Sequence, residues 1–364
     1  MIWLLFIPFV IYLALFAAAA KYLLSTGTWK HNSVEKEVTI SVVIPCRNEE
    51  FALPQLLVDL SAQDYPENSF EVIIVDDHSS DNTLKVAEEF KGLRNIKVMK
   101  NAGKGKKSAI KTGVLSSVSE LIITTDADCR TGKSWLRTIA SFYTSGMPDL
   151  IISPVKLKES KGLLFIFQQL EWLGLQGITG GFALAGRPVM CNGANLAFTR
   201  KTFMENCDHL YYNIPSGDDI FLLHSIKSKP GSGIFWLNNR DADVITEPAG
   251  SVAELLRQRA RWISKTGFYR DNFTILFSAE IFITVLLLGT LLIQAIVSAE
   301  YLPVFLSCFI IKSIADAFVI KTTAILYREK SFLQWLLPLQ LLYPFYLAGI
   351  ILSLVPGLFN REKP

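Results

Sequence analysis

The sequence predicts an α/β domain with a mostly parallel sheet, set between one N-terminal and about three C-terminal transmembrane helices. Three observations carry this. Half of the 364 residues are apolar, and they concentrate toward the two ends. Short β-branched runs alternate with helically spaced apolar residues through the middle. Acidic clusters recur where those runs stop.

The ends come first. Residues 1–20 hold no charged side chain, nor do 281–299 or 331–360, and 301–327 is uncharged apart from Lys312, Asp316 and Lys321. Each stretch is of a length to cross a bilayer. We expect spans at 1–24, about 275–299, 301–327 and 331–357. A block of soluble composition, 25–272, lies between them. No basic segment precedes the first apolar run, which continues through Leu24, so a retained anchor is expected rather than a signal peptide, despite the small residues at 17–20. Lys21, Lys30 and Lys36 follow the first span, and Lys321, Arg328 and Lys330 follow the third, which puts the block on the cytoplasmic side of a multi-pass membrane protein. Arg361 and Lys363 then fall outside, against the rule. Pro338, Pro344 and Pro356 leave open a broken or re-entrant last segment. Lys312 and Asp316, four apart on one helix face, suit a buried ion pair; an acceptor or conduit role is the alternative.

The net charge of +3 offers no basic field, and nucleic acid is not expected as a partner. Five scattered cysteines without Cys-x-x-Cys spacing point to a reduced compartment, with neither a disulfide framework nor a zinc site. The oligomeric state stays open.

The central block is read in order. Residues 38–45 form a buried strand ending in Pro45-Cys46-Arg47-Asn48-Glu49, and 50–63 has helical spacing through Leu53, Leu56, Leu57 and Leu60. Residues 72–75 are a second strand. The polar turn 76–83 then leads into a helix through Leu84 and Val86, with Asp81 or Asn82 as its cap. Residues 96–99 are a third strand, 108–116 a helix and 121–125 a fourth strand. This βαβ spacing predicts a parallel, doubly wound sheet. The polar clusters 45–49, 76–83 and 126–128 all fall at C-terminal strand ends, where open α/β sheets bind ligands. Asp126-Ala127-Asp128 there suits a divalent cation shared with phosphate oxygens; a capped loop is the plain alternative.

The loop 101–108 fails as a P-loop, because Gly105-Lys106 is followed by Lys107 and the residue five before Gly105 is Lys100. It remains a lysine-rich loop at a helix start, fit for an anionic ligand or simply solvated. Residues 162–185 carry Phe165, Phe167, Trp172 and Phe182 among Gly174, Gly177, Gly180 and Gly181. An interfacial amphipathic helix is preferred there over core packing. A second interfacial helix is expected within 251–272, where Arg257, Arg259 and Lys265 would meet lipid headgroups.

Taken in order, Val42-Val43-Ile44-Pro45-Cys46-Arg47-Asn48-Glu49-Glu50, Val75-Asp76-Asp77-His78-Ser79-Ser80-Asp81-Asn82-Thr83, Gly105-Lys106-Lys107-Ser108-Ala109, Asp126-Ala127-Asp128, Asp218-Asp219 and Gln258-x-x-Arg261-Trp262 resemble family 2 glycosyltransferases. Those are inverting enzymes of GT-A fold that use nucleotide-activated sugars. The resemblance covers roughly residues 38–265. Members with Gln-x-x-Arg-Trp include cellulose, chitin and hyaluronan synthases and ceramide glucosyltransferase.

The resemblance implies roles. Pro45, Arg47, Glu49 and Asp77 would surround the nucleotide base and ribose, and Lys106 would approach the nucleotide. Asp128 would bind Mg²⁺ or Mn²⁺, with Asp126 on ribose or metal. Asp219 would be the general base, with a helix-cap role for 216–219 as the alternative; Asp218 stands where the family usually has Glu. Arg261 would balance diphosphate charge. Gly193, Asn195, Gln258 and Trp262 would face the acceptor. The function implied is metal-dependent, inverting transfer of a sugar from a UDP-sugar to a membrane lipid. Processive polysaccharide synthesis is the runner-up, since no Phe-x-Val-Thr-x-Lys segment follows Trp262 and three C-terminal segments give little wall for a tunnel. A non-catalytic nucleotide-sugar binder is a third reading.

Overall fold

The computed structural model describes residues 2–29 and 37–354. Lys30, Lys36, Pro356, Arg361, Lys363 and the end of the last expected span lie outside the described residues. The chain divides into two compact units: an α/β unit of Gly27–Lys158 and Met190–Glu247, and a helical unit of Met1–Thr26, Glu159–Val189 and Pro248–Pro364.

In the α/β unit the strands are β1 (Ile40–Cys46), β2 (Phe70–Asp76), β3 (Ile96–Lys100), β4 (Leu121–Thr124), β5 (Arg130–Thr131), β6 (Leu150–Ile152), β7 (Val155–Leu157), β8 (Leu196–Thr199), β9 (Ile234–Trp236) and β10 (Val244–Thr246). Seven form one sheet in the order β3-β2-β1-β4-β8-β6-β9. Within it β8 runs against its two neighbours, and the other pairings are parallel. The remaining three form a small sheet, β5-β10-β7. Central strands of a sheet covered on both faces need apolar residues at every position rather than alternately. That is why Val42, Val43 and Ile44 on β1 and Val72 through Val75 on β2 are all fully buried.

Helices Leu53–Ser61, Thr83–Glu89 and Lys106–Ser116 make the crossovers. A Cβ added at Gly113 would lie 2.5 Å from the Val43 side chain, so this glycine lets helix Lys106–Ser116 lie directly on β1. Parallel register does the rest. Cys46 stands beside Asp76, and Asp76 beside Lys100. The segments following β1, β2, β3 and β4 therefore line one edge of the sheet.

The helical unit contains Phe6–Ser25, Leu163–Leu184, Val252–Ile263, Asn272–Val297, Leu302–Tyr327 and Leu336–Ser353. Among the described residues, four helices are long and apolar enough to cross a membrane: Trp3–Ser25, Asn272–Val297, Ala299–Tyr327 and Leu333–Ser353. The last is a continuous helix with Pro344 inside it, so the described part is not broken. Lys312 and Asp316 form a buried ion pair at 2.6 Å; Tyr12 donates to Asp316 Oδ1 at 2.6 Å and Gln340 donates to Oδ2.

Helix Leu163–Leu184 packs closely against other helices of this unit over its C-terminal half, where Gln176 through Ala183 are all buried. Its glycines are the reason. A Cβ at Gly181 would meet the Ala19 backbone at 2.5 Å, and one at Gly177 would meet Val319 and Thr323 side chains at 2.5 and 2.4 Å. Bare backbone is needed where these helices touch, as in small-residue packing between membrane helices. Residues 159–189 and 248–272, expected within the soluble block, group with the helices. One expectation about this unit is corrected: Arg259 and Lys265 do not lie at a lipid headgroup surface, because both are buried.

Candidate active site at the strand edge

The site is built on loops that the sheet brings together. After β1, Asn48 takes φ 57°, and after β2, His78 takes φ 58°. Both are left-handed conformations that asparagine and histidine tolerate better than most residues. These bends let the two loops lace together. Asn48 N–H donates to Ser79 Oγ at 3.0 Å, Ser80 N–H donates to Asn48 Oδ1 at 2.8 Å, and Glu49 N–H donates to Thr83 Oγ1 at 2.7 Å. Asp81, rather than Asn82, caps the next helix by accepting from Thr83 N–H at 3.0 Å.

Asp77 is buried and faces the loop after β3. It accepts from Gly105 N–H through both oxygens at 2.9 Å and from Asn101 Nδ2 at 2.7 Å. Asn101 was not singled out from the sequence. It is buried, and its Oδ1 accepts from Gly103 N–H, Ser108 Oγ and Thr112 Oγ1, which folds the lysine-rich loop back on itself. Gly105 supplies the turn at φ 88°, out of which Lys106 starts the next helix.

Two lysines of that loop, Lys106 and Lys107, are not solvated, whereas Lys104 is exposed. Lys106 Nζ lies 2.5 Å from Asp126 Oδ1 and 3.5 Å from Asp218 Oδ2. Burial alone would lower its ammonium, but Asp126, Asp218 and Asp219 hold it well above its ordinary value. Lys107, next in sequence, is buried and donates to the carbonyls of Tyr211 and Ile214 at 2.9 Å, with its ammonium 4.5 Å from the Phe221 ring. It thereby fixes the segment that leads to Asp218 and Asp219.

Asp218 and Asp219 open helix Asp218–Lys227, whose N-cap is Gly217 with no side-chain cap. Both carboxylates thus lie in the first turn of that helix. Asp219 accepts from Ile220 N–H at 2.7 Å and from Gly193 N–H at 3.3 Å. A Cβ at Gly193 would lie 2.7 Å from Asp218 Oδ2 and 3.6 Å from the Asp219 Cβ. Gly193 is thus a glycine because two acids and a lysine close over it. Asn195, expected to face an acceptor, is placed elsewhere. It is fully buried, accepts from Trp135 Nε1 at 3.1 Å, and donates to the Pro154 and Ala242 carbonyls at 2.7 Å. Its amide is saturated, which makes it a strut beneath the site.

Lys106, Asp126, Gly193, Asp218 and Asp219 therefore come together, with Asp77 under the loop that aims Lys106. Asp128 reaches solvent, yet crowding by protein and then the Asp126 charge raise its carboxyl above the usual range. Burial, followed by the charges of Asp128, Asp126 and Asp81, pushes Glu49 up to about 7. Arg47 is exposed and Pro45 half-buried. Among the described residues no three acidic, histidine or cysteine side chains form a ready metal cluster. The donor set nonetheless fits a divalent cation. Asp126 and Asp128 are hard oxygen ligands, the Asp126 charge raising Asp128 beside it, and such cations commonly take one or two carboxylates and complete their shell from substrate phosphates.

Gln258, Arg261 and Trp262 lie on helix Val252–Ile263 of the helical unit. Ser251 caps it, accepting from Glu254 N–H at 3.2 Å. Arg261 is exposed, while Gln258 and Trp262 are half-buried.

Residues 41–206 match the model of Glycosyl transferase family 2. The chain carries a family 2 glycosyltransferase domain. Among curated proteins, it is 31% identical over 198 residues to 4,4'-diaponeurosporenoate glycosyltransferase of Staphylococcus haemolyticus, covering 52% of this chain and 50% of that one. It is 41% identical over 101 residues to undecaprenyl-phosphate 4-deoxy-4-formamido-L-arabinose transferase of Proteus mirabilis, covering 27% of this chain and 31% of that one. The aligned stretch thus spans half or less of these relatives' own lengths. A mannosyltransferase from Pyrobaculum calidifontis, solved with GDP-Man and Mn²⁺, shares the fold with a TM-score of 0.58 and 18% identity, over 98% of this chain and 100% of that one. The family 2 domain is GT-A-like, a mixed α/β fold around a mostly parallel sheet.

Proposed function

We propose that this protein transfers a sugar from a nucleotide-sugar donor, expected to be a UDP-sugar, to a membrane lipid, with inversion at the anomeric carbon. The observation that carries the reading is the meeting of Lys106, Asp126, Asp218 and Asp219 around Gly193 at the C-terminal edge of the sheet. A sugar–diphosphate bond breaks with negative charge growing on the leaving oxygens, and a site that stabilises this charge lowers the barrier. Lys106 is a cation of this chain in contact with these carboxylates. When the donor arrives, its ammonium can exchange Asp126 for a phosphate oxygen. Asp126 and Asp128 would hold Mg²⁺ or Mn²⁺, which supplies Lewis-acid stabilisation of the diphosphate. Pro45, Arg47, Glu49 and Asp77 flank the loops where base and ribose would lie.

Asp219 is assigned the general base. The Gly193 and Ile220 N–H groups orient its carboxylate, which would take the proton from an acceptor hydroxyl attacking opposite the leaving group. One displacement then suffices, and no covalent sugar–enzyme intermediate is needed. Gln258 and Trp262 are assigned to the acceptor and Arg261 to diphosphate charge. Four candidate spans and a relative named for undecaprenyl phosphate favour a lipid acceptor. The basic residues Lys21, Lys321, Arg328 and Lys330 at span ends favour a cytoplasmic catalytic unit. The Gln-x-x-Arg-Trp segment alone favours a second reading, processive polymer synthesis.

The test is a donor panel (UDP-glucose, UDP-N-acetylglucosamine, GDP-mannose) with detergent-solubilised full chain, total lipid extract and Mn²⁺. Released nucleoside diphosphate and labelled product are measured. One sugar on an organic-soluble lipid supports the reading, whereas a ladder of products replaces it with polymer synthesis. Donor binding without release under all conditions would reduce the protein to a binder.

A further inference from the structure

The motif helix Val252–Ile263 contains an arginine that the reading above leaves without a role, and its contacts are unusual. Arg259 is buried, with 5% of its side chain exposed, and Glu171 is matched to it at 8%. Arg259 Nε and Nη2 both donate to Glu171 Oε2, at 3.0 and 2.6 Å. Its remaining nitrogen, Nη1, donates to Gln258 Oε1. The guanidinium plane lies over the Trp262 ring, with Cζ 4.1 Å from the centroid. One side chain therefore touches the first and last signature residues of Gln258-x-x-Arg261-Trp262 at once.

The anchor is itself anchored. Glu171 Oε1 accepts from Tyr346 Oη at 2.9 Å, so the carboxylate joins helix Leu163–Leu184 to the last membrane-length helix, Leu336–Ser353. Trp172, the neighbour of Glu171, has its ring centroid 6.2 Å from that of Trp262, at an interplanar angle of 49°. Helix Leu163–Leu184 thus holds the motif helix at two adjacent points, by charge at Arg259 and by ring contact at Trp262. A buried ion pair is seldom the most stabilising choice for such a site, since apolar residues of equal volume often do as well. What apolar residues could not supply is direction. A planar guanidinium offers a face to an indole and edges to a carboxylate and an amide together, which lysine cannot do.

We propose that Arg259, fixed by Glu171 and Tyr346, is a positioning residue that sets the Gln258 amide and the Trp262 indole in the pose that receives the acceptor. This rests on the proposed assignment of Gln258 and Trp262 to the acceptor. Neither Arg259 nor Glu171 touches substrate in this account.

The experiment uses the full chain in detergent, with the three donors above and vesicles of total lipid extract supplemented with undecaprenyl phosphate. Arg259→Lys, which retains the charge opposite Glu171 but loses the planar fork, is expected to lower kcat/KM for the lipid by about 10²-fold while the donor KM stays unchanged. The double variant Glu171→Gln/Arg259→Leu removes both charges and leaves neither unpaired. It should match wild type in thermal stability and still carry the kinetic defect. Recovery of both stability and lipid kcat/KM in the double variant would make the pair merely structural and overturn the proposal.

A substrate-free arm reads the indole itself. Trp262 emission, isolated by difference from Trp262→Phe, should become several-fold more accessible to acrylamide in Arg259→Lys. Unchanged accessibility overturns the proposal even if no lipid is turned over. Failure of the underlying assignment looks different: Trp262→Phe would then transfer sugar as well as wild type, whatever Arg259→Lys does to the indole.

Discussion

Charged side chains gather in both units of this protein, and the clusters are built differently in each. In the helical unit, Lys312, Asp316, Tyr12 and Gln340 form a closed set, and Arg259, Glu171, Tyr346 and Gln258 form another. In both, the acid and base are matched and nearly sealed from solvent. At the strand edge of the α/β unit the arrangement differs. Lys106 is shared between Asp126 and Asp218, with Asp219, Asp128 and Glu49 nearby, and the acids crowd one another enough to raise Glu49. A saturated cluster fixes helices. A solvent-reached one with crowded acids would suit a ligand that brings positive charge and removes repulsion.

Substitutions should separate the two kinds. The largest effect is expected at Asp219. Asp219→Asn keeps the shape and the donor site but removes the base, and transfer to a hydroxyl acceptor should fall by about 10³-fold with donor affinity retained. Undiminished turnover in a release assay would remove Asp219 from the chemistry. Next comes the closed set. Lys312→Met leaves Asp316 buried without its cation and should destabilise the protein by about 3–5 kcal/mol. Lys312→Met/Asp316→Leu should recover most of that loss, read as thermal unfolding in detergent. Equal melting temperatures for the single and double variants would mean that the pair is not sealed.

The smallest effect is a pH dependence. Glu49, raised to about 7 from 4.5, holds a proton in the folded protein that the unfolded chain has lost. A raised pKa contributes stability that is present below pH 4.5 and is lost as pH rises through 7. With metal chelated, Glu49→Gln should therefore be more stable than wild type above pH 7, by about 1 kcal/mol after allowing for solvent screening. The two should converge near pH 4.5. A difference that grows toward acid would show that its neighbours do not repel Glu49.

The strand edge was legible because its signal is local. A run such as Glu71-Val72-Ile73-Ile74-Val75 followed by Asp76-Asp77 states both the strand and its end, and four such runs in register imply an edge. The family motifs then separated this edge from an ordinary set of solvated turns. What escaped was non-local. Nothing near Arg259 announces a partner 88 residues earlier, so it looked like one more juxtamembrane cation. Asn195 sits in a motif segment, yet only the fold reveals that Trp135, Pro154 and Ala242 saturate it. Asn101 and Lys107 were equally hidden, because each acts on loops that only the fold brings near. One missed signal was available. Gly177 and Gly181 are four apart, the spacing of close helix contact, and they face Val319 and Ala19. Read that way, the glycines of 162–185 argue for close helix packing over 176–183.

The metal acids test the account most directly. UDP and GDP are titrated into the full chain, wild type and Asp128→Ala, each with Mn²⁺ and with chelator, and heat or fluorescence reports binding. A strand edge that shares a cation with a diphosphate predicts binding to wild type at least tenfold tighter with Mn²⁺ than without, and no such gain in Asp128→Ala. Equal affinity in all four conditions, or the same gain in both proteins, would contradict it.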